Sequence, residues 1–164
     1  MVGYLFKKLG ELLLPERQIE DGIRYLEPVK ALSIIHQRIS QLAQQIDSHA
    51  DLAPYPQVAE QLRQIAGEKR DSASHLRKII EKLHGSIIGG MQESATASNH
   101  WQRLIRDLED QTALDDFLSR SESNLTRHVP EVSDFLRQLK TIDEAHKRSL
   151  TQLIAVADPQ ATQT

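Results

Sequence analysis

At 164 residues, with a net charge of −3, 26% charged and 39% hydrophobic residues, the chain has the composition of one folded domain rather than a disordered segment. Aromatic residues at 4% are too few for a typical β-sandwich, and the absence of cysteine excludes disulfides, zinc–thiolate sites and a thiol nucleophile. The mild acidity leaves no footprint for nucleic acid, no apolar run nears the ~20 residues that span a bilayer, and no small-residue cleavage site follows the first apolar stretch, so the chain reads as a cytoplasmic, all-α protein.

Residues 1–20 read as an N-terminal amphipathic segment. Val2, Leu5, Phe6, Leu9, Leu12 and Leu13 recur at helical spacing opposite Lys7, Lys8 and Glu11, and Pro15 closes the run. A face this apolar needs a cover. Its own bundle or a second subunit comes first, which gives an expected homodimer with residues 1–14 in the interface. A docking helix for another protein comes second. A membrane surface comes last, because two lysines against one glutamate make a weak basic face.

Residues 21–157 carry four segments with a 3.6-residue apolar period. The first, 21–48, has Leu32, His36, Ile39, Ala43 and Ile46 on one stripe, and Pro54 and Pro56 follow it. The second, 56–83, places Val58, Leu62, Ile65, Leu76 and Ile79 inwards and ends at His84-Gly85. The third, 98–124, carries Trp101, Leu104, Ile105, Leu108, Leu114 and Leu118. The fourth, 130–156, opens on Pro130, a favoured first helical position. Residues 158–164 are polar and read as a disordered tail. Short loops within each pair predict two antiparallel hairpins, and the longer Gly/Ser/Thr-rich stretch 85–97 predicts a crossover between them.

A shift of 74 residues lays the second helix on the fourth. Pro56 meets Pro130, Val58 meets Val132, Leu62-Arg63-Gln64 meets Leu136-Arg137-Gln138, and Leu76 meets Leu150. The repeat implies a duplicated hairpin and a pseudo-two-fold bundle.

In the fourth helix, Asp143 and His146 fall on the inner stripe one turn apart. An acidic residue followed three positions later by histidine is a ligand arrangement of di-iron bundles. The run Asp143-Glu144-Ala145-His146-Lys147-Arg148-Ser149-Leu150 resembles the Glu-Glu-x-His-x-x-x-Leu signature of rubrerythrin- and bacterioferritin-type proteins. That resemblance to the ferritin-like superfamily covers residues 21–157. It implies a four-helix bundle with one glutamate from each of helices one and three, and Glu-x-x-His from helices two and four.

The chain departs from that ligand set at most positions. In the second helix Lys69 takes the glutamate position and Ser72 the histidine position, and the 74-residue shift gives the same correspondence, Lys69 to Asp143 and Ser72 to His146. The glutamate of helix one falls at Leu32 and that of helix three near Gln111, with Glu109 and Asp110 beside it. Asp143 and His146 alone remain.

The lysine and aspartate predict a buried Lys69–Asp143 ion pair in place of the metal site, with Ser72, Gln111 and His146 as hydrogen-bond partners. The alternative for Lys69 is a stem that crosses the core while its ammonium reaches water. His36 reads as an interfacial histidine that could face the polar centre. Asp71 and His75 read as a solvated pair, and His49, His84, His100 and His128 as residues of helix ends or loops. The expected role is a non-catalytic bundle without a cofactor, acting as a structural or protein-interaction module. The alternative is a metal-dependent oxidase, peroxidase or iron-handling protein with iron or manganese at a rearranged site of Asp143, His146, Glu109 and His36.

Overall fold

A computed structural model describes residues 27–90 and 99–157. The expectations for residues 1–20, for 21–26 and for the tail 158–164 lie outside the described residues. Four long helices make up the fold: α1 (Pro28–Asp51), α2 (Pro56–Lys82), α3 (His100–His128) and α4 (Ser133–Val156), the last preceded by a 3-10 turn, Pro130–Val132. Among the described residues there is no strand, and no helix is long and apolar enough to cross a membrane.

Local chemistry sets the helix ends. Proline opens α1 and α2, where its missing N–H costs nothing. Asn99 caps α3 by accepting from the backbone N–H of Gln102 at 2.8 Å. The fourth helix was expected from Pro130, but the first turn there is tightened to a 3-10 bond, Val132 N–H to Val129 C=O, and α-geometry begins at Ser133. At the end of α2, His84 turns left-handed at φ 56°. Its N–H then reaches Glu81 C=O and the N–H of Gly85 reaches Ile80 C=O, both at 3.0 Å, a Schellman closure.

Gly85 is required at that closure by space. A Cβ there would lie 2.3 Å from Val29 Cγ1 and 2.9 Å from Ile80 Cγ2, on two β-branched side chains with little rotamer freedom. Gly85→Ala is expected to destabilise the fold by about 1–3 kcal/mol, read as a lower thermal midpoint.

Contacts along the helices fix their directions. Asp51–Arg63 and Asp47–Arg70 pairs, at 3.1 and 3.3 Å, run α1 and α2 antiparallel. Gln45 on Asp107 at 2.8 Å and the Arg38 guanidinium 4.5 Å above the Phe117 ring do the same for α1 and α3. Lys147–Asp115 and Lys140–Glu122 pair α4 with α3. His75 packs edge-on to Phe135 at 5.1 Å between α2 and α4.

Because α2 and α3 both run against α1, they are parallel, and the chain between them must travel the length of the bundle. Its first part lies along α1. Ser33 Oγ donates to Ser86 C=O at 2.7 Å, and the Gln37 and Gln41 amides donate to Gly90 C=O at 3.4 and 3.3 Å. Two antiparallel hairpins are thus observed, and residues 91–98 of the expected crossover lie outside the described residues.

The core sits on the inner stripes, with Leu32, Ile39, Leu62, Leu76, Leu104 and Leu150 fully buried. Burial of each such side chain is worth roughly 1.5–3 kcal/mol. On α3 the inner stripe differs from the expected one. Trp101, Ile105 and Leu108 are only half-buried, while Arg103, Asp107 and Ser121 are buried; Gln111 is buried as expected.

Candidate functional site

The inner stripes of α2 and α4 each carry a charged residue at the middle of the bundle, Lys69 and Asp143, and these two meet. Lys69 Nζ donates to Asp143 Oδ1 at 3.1 Å, with 2% and 1% of the two side chains exposed. The same ammonium donates to Gln111 Oε1 on α3, and Gln111 is fully buried. The Gln111 amide donates onward to Asp115 Oδ1 at 3.0 Å. Asp115 in turn pairs with Lys147 at 2.7 Å, and Lys147 with Glu144 at 2.5 Å.

On the other side, His146 Nε2 lies 2.8 Å from Glu68 Oε2, and its Nδ1 stands 3.7 Å from Asp143 Oδ1. A chain of polar contacts therefore crosses the bundle from Glu68 at one surface to Glu144 at the other. Its middle is dry.

The titration behaviour follows from that placement. Burial pulls the Lys69 ammonium below the usual lysine range, although Asp143 opposes the shift. Burial pushes the Asp143 carboxyl up, but His146 and Lys69 together outweigh it and hold Asp143 below the usual carboxylate range. Glu68 is likewise held low, because His146 and Gln64 outweigh its burial. Asp115 is pushed up by burial despite Lys147 and Gln111. Lys147, gripped by Asp115 and Glu144, is raised.

Several expected members stand elsewhere. Ser72 is buried but gives its hydroxyl to Glu68 C=O of its own helix at 3.0 Å, so it joins neither Lys69 nor Asp143. Glu109 is exposed on the outer face of α3, and Asp110 beside it takes Gln45 and Arg106. His36 is buried about three turns from the level of Lys69, with burial and then Arg77 holding its pKa below the ordinary value. Leu32 is displaced further. The Asp47–Arg70 and Ser33–Ser86 contacts set it near the far end of α2, about four turns from the level of Lys69.

Two members, Glu68 and Asp115, escape a reading of the motif alone. Glu68 lies next to Lys69 in sequence and stands out only once α4 is docked. Asp115 lies one turn beyond Gln111, a spacing that in retrospect signals it.

A second buried polar cluster lies where α1 ends and α3 begins. His49 Nδ1 lies 2.8 and 2.9 Å from the two Asp107 oxygens, and Gln45 donates to Asp107 at 2.8 Å. Arg103 donates to Leu52 C=O at 3.3 Å. His100 is buried beside it, its pKa lowered by burial and then by Arg103. His49, in the last turn of α1, and His100, the first residue of α3, stand at helix ends as expected, and both are buried. Asp71 and His75 are exposed as expected, and His75 covers the edge of Phe135.

The donor set does not suit a pair of divalent metal ions. An ammonium sits on Asp143, a carboxylate sits on His146, and Glu109 and His36 do not converge with either. Among the described residues no group of three or more His, Cys, Asp or Glu is placed to hold a metal ion. Compared with known proteins, the chain matches no protein-family model, no curated protein and no solved structure.

Proposed function

We propose that the protein is a non-catalytic bundle of ferritin-like type, cytoplasmic, that serves as a structural or protein-interaction module and self-associates as a homodimer. One observation carries this reading: Lys69, dry and central, donates to Asp143 and Gln111 where the resemblance calls for bridging carboxylates. An ammonium there repels divalent cations. The hairpin–crossover–hairpin order and the 74-residue repeat support the ferritin-like type. The apolar stripe of residues 1–14 supplies the dimer contact.

Metal analysis of the full chain, produced in cells supplied with iron and manganese, tests the reading. Substoichiometric metal is expected. A stoichiometric pair of ions per chain, lost in His146→Ala, would overturn the non-catalytic assignment. Light scattering on the same sample, with and without residues 1–14, is expected to show a dimer that becomes monomeric on deletion. A dimer that survives deletion would move the interface elsewhere.

A further inference from the structure

Lys69 and Asp143 are separated by 74 residues, the interval of the repeat. Equivalent positions of two repeats touch only where the axis relating them passes. The ion pair therefore marks the pseudo-two-fold axis. The element boundaries obey the same shift, since Pro56–Lys82 of α2 lands on Pro130–Val156, the 3-10 turn and α4 together.

Around that axis the apolar part of the interface is self-complementary. Val58 and Val132, Leu62 and Leu136, Ile65 and Leu139, and Leu76 and Leu150 are equivalent positions, and all are buried. By this apolar stripe alone, α2 would accept another α2 as readily as α4. The polar positions are different. A like pairing of first hairpins brings Lys69 against Lys69, and one of second hairpins brings Asp143 against Asp143, each a buried pair of equal charges.

The flanking contacts lose their complement as well. By the repeat, Glu68 would meet Ser72 in place of His146, and His146 would meet Ile142 in place of Glu68. On the opposite seam, Gln45 and His49 of α1 would lose the Asp107 carboxylate, which belongs to α3. Three sets of polar contacts thus distinguish the native pairing from a like one, although the apolar stripes of α2 and α4 are alike.

We propose that these contacts, with Lys69–Asp143 at their centre, make the hairpin–hairpin interface selective. It admits an α1–α2 hairpin with an α3–α4 hairpin, of the same chain or of a second copy, and rejects like with like. The selectivity is independent of the dimer contact through residues 1–14, and holds whether or not a metal binds.

Full-length Lys69→Asp and Asp143→Lys chains test it, because their exchange keeps the total side-chain volume at the axis. Each single variant places equal charges at the axis, and its thermal midpoint is expected to fall by on the order of 10 °C. The double variant K69D/D143K restores opposite charges and is expected to recover most of that fall. The decisive sample is an equimolar mixture of the two single variants, unfolded and refolded together. Hairpin exchange between the chains makes both axes complementary, so the mixture is expected to regain a midpoint near that of the double variant, with one chain of each kind in native mass spectra. A dimer held only through residues 1–14 would leave both midpoints low. Single variants as stable as the original chain, a double variant no better than the singles, or a mixture that melts as the sum of its parts would each overturn the proposal.

Discussion

Replacing Lys69 by methionine is expected to lower the unfolding free energy by about 3–5 kcal/mol, measured by urea denaturation at neutral pH. Methionine fills the path of the lysine stem, so little of the loss is packing. The loss comes from Asp143. Its Oδ1 would lose the ammonium, its Oδ2 is buried without a hydrogen-bond partner among the described residues, and His146 Nδ1 stands at 3.7 Å. Converting Asp143 to leucine as well removes the stranded charge, and the double variant is expected to regain most of the stability, since burying a charge pair also costs desolvation.

The pH dependence separates these terms. In the original chain Asp143 is held below its unfolded value of about 3.9. Its contribution is therefore complete above that value, and is lost as pH falls through the depressed one. In Lys69→Met the burial of Asp143 dominates and the shift reverses. A carboxyl whose folded pKa is raised binds its proton more tightly in the folded state, so the variant gains stability on mild acidification. Urea titrations from pH 7 towards pH 4 should show the variant gaining on the original, a difference in which the loss both share from the buried His36 and His100 cancels. A difference that stays constant would remove Asp143 as the source of the loss.

The second large effect is expected at Asp107. Asp107→Ala is expected to cost about 3–5 kcal/mol, because a fully buried carboxylate leaves with all that it received. His49 loses the acceptor of its Nδ1, Gln45 loses one of its acceptors, and the buried Arg103 loses its nearby counter-charge. Asp107→Asn keeps one acceptor oxygen and should cost less. The damage should be local before it is global. Amide hydrogen exchange is expected to speed up first in the last turns of α1 and the first turns of α3, with the α2–α4 seam unaffected. Uniform acceleration would assign Asp107 a role in the whole bundle instead.

How much of this was legible depended on whether a residue meets its own helix or a neighbour. Leu62, Leu76, Leu136 and Leu150 repeat every three or four positions, and a periodic stripe declares its own face. Lys69 and Asp143 could be paired because the family pattern sets its bridging carboxylates face to face, and the 74-residue repeat gave the same correspondence of positions. Where no repeat constrained the register, the reading failed. Leu32 was set at the centre by family pattern alone, yet the Asp47–Arg70 contact slides it about four turns away. The buried side of α3 was underread because Arg103 and Asp107 look like surface residues until Gln45 and His49 are docked against Asp107. Ser72 was assigned outwards to Lys69, but a hydroxyl within a helix has a nearer carbonyl four residues back.

The crossover held along α1 by Ser33, Gln37 and Gln41 fixes an order of events during synthesis. Chains emerge from the ribosome N-terminus first, so α1, α2 and the strap above them are complete while α4 is still being made. In that interval the inner stripe of α2 faces water, with Leu62, Ile65 and Leu76 uncovered. Lys69 sits in the middle of that stripe and keeps a hydrated charge on the surface most prone to sticking, as gatekeeper residues do beside apolar runs. The ammonium gives up its water only when Asp143 arrives, and Asp143 is among the last residues of the bundle to leave the tunnel. A cation that costs energy in the finished fold is thus a solubilising group for the unfinished one.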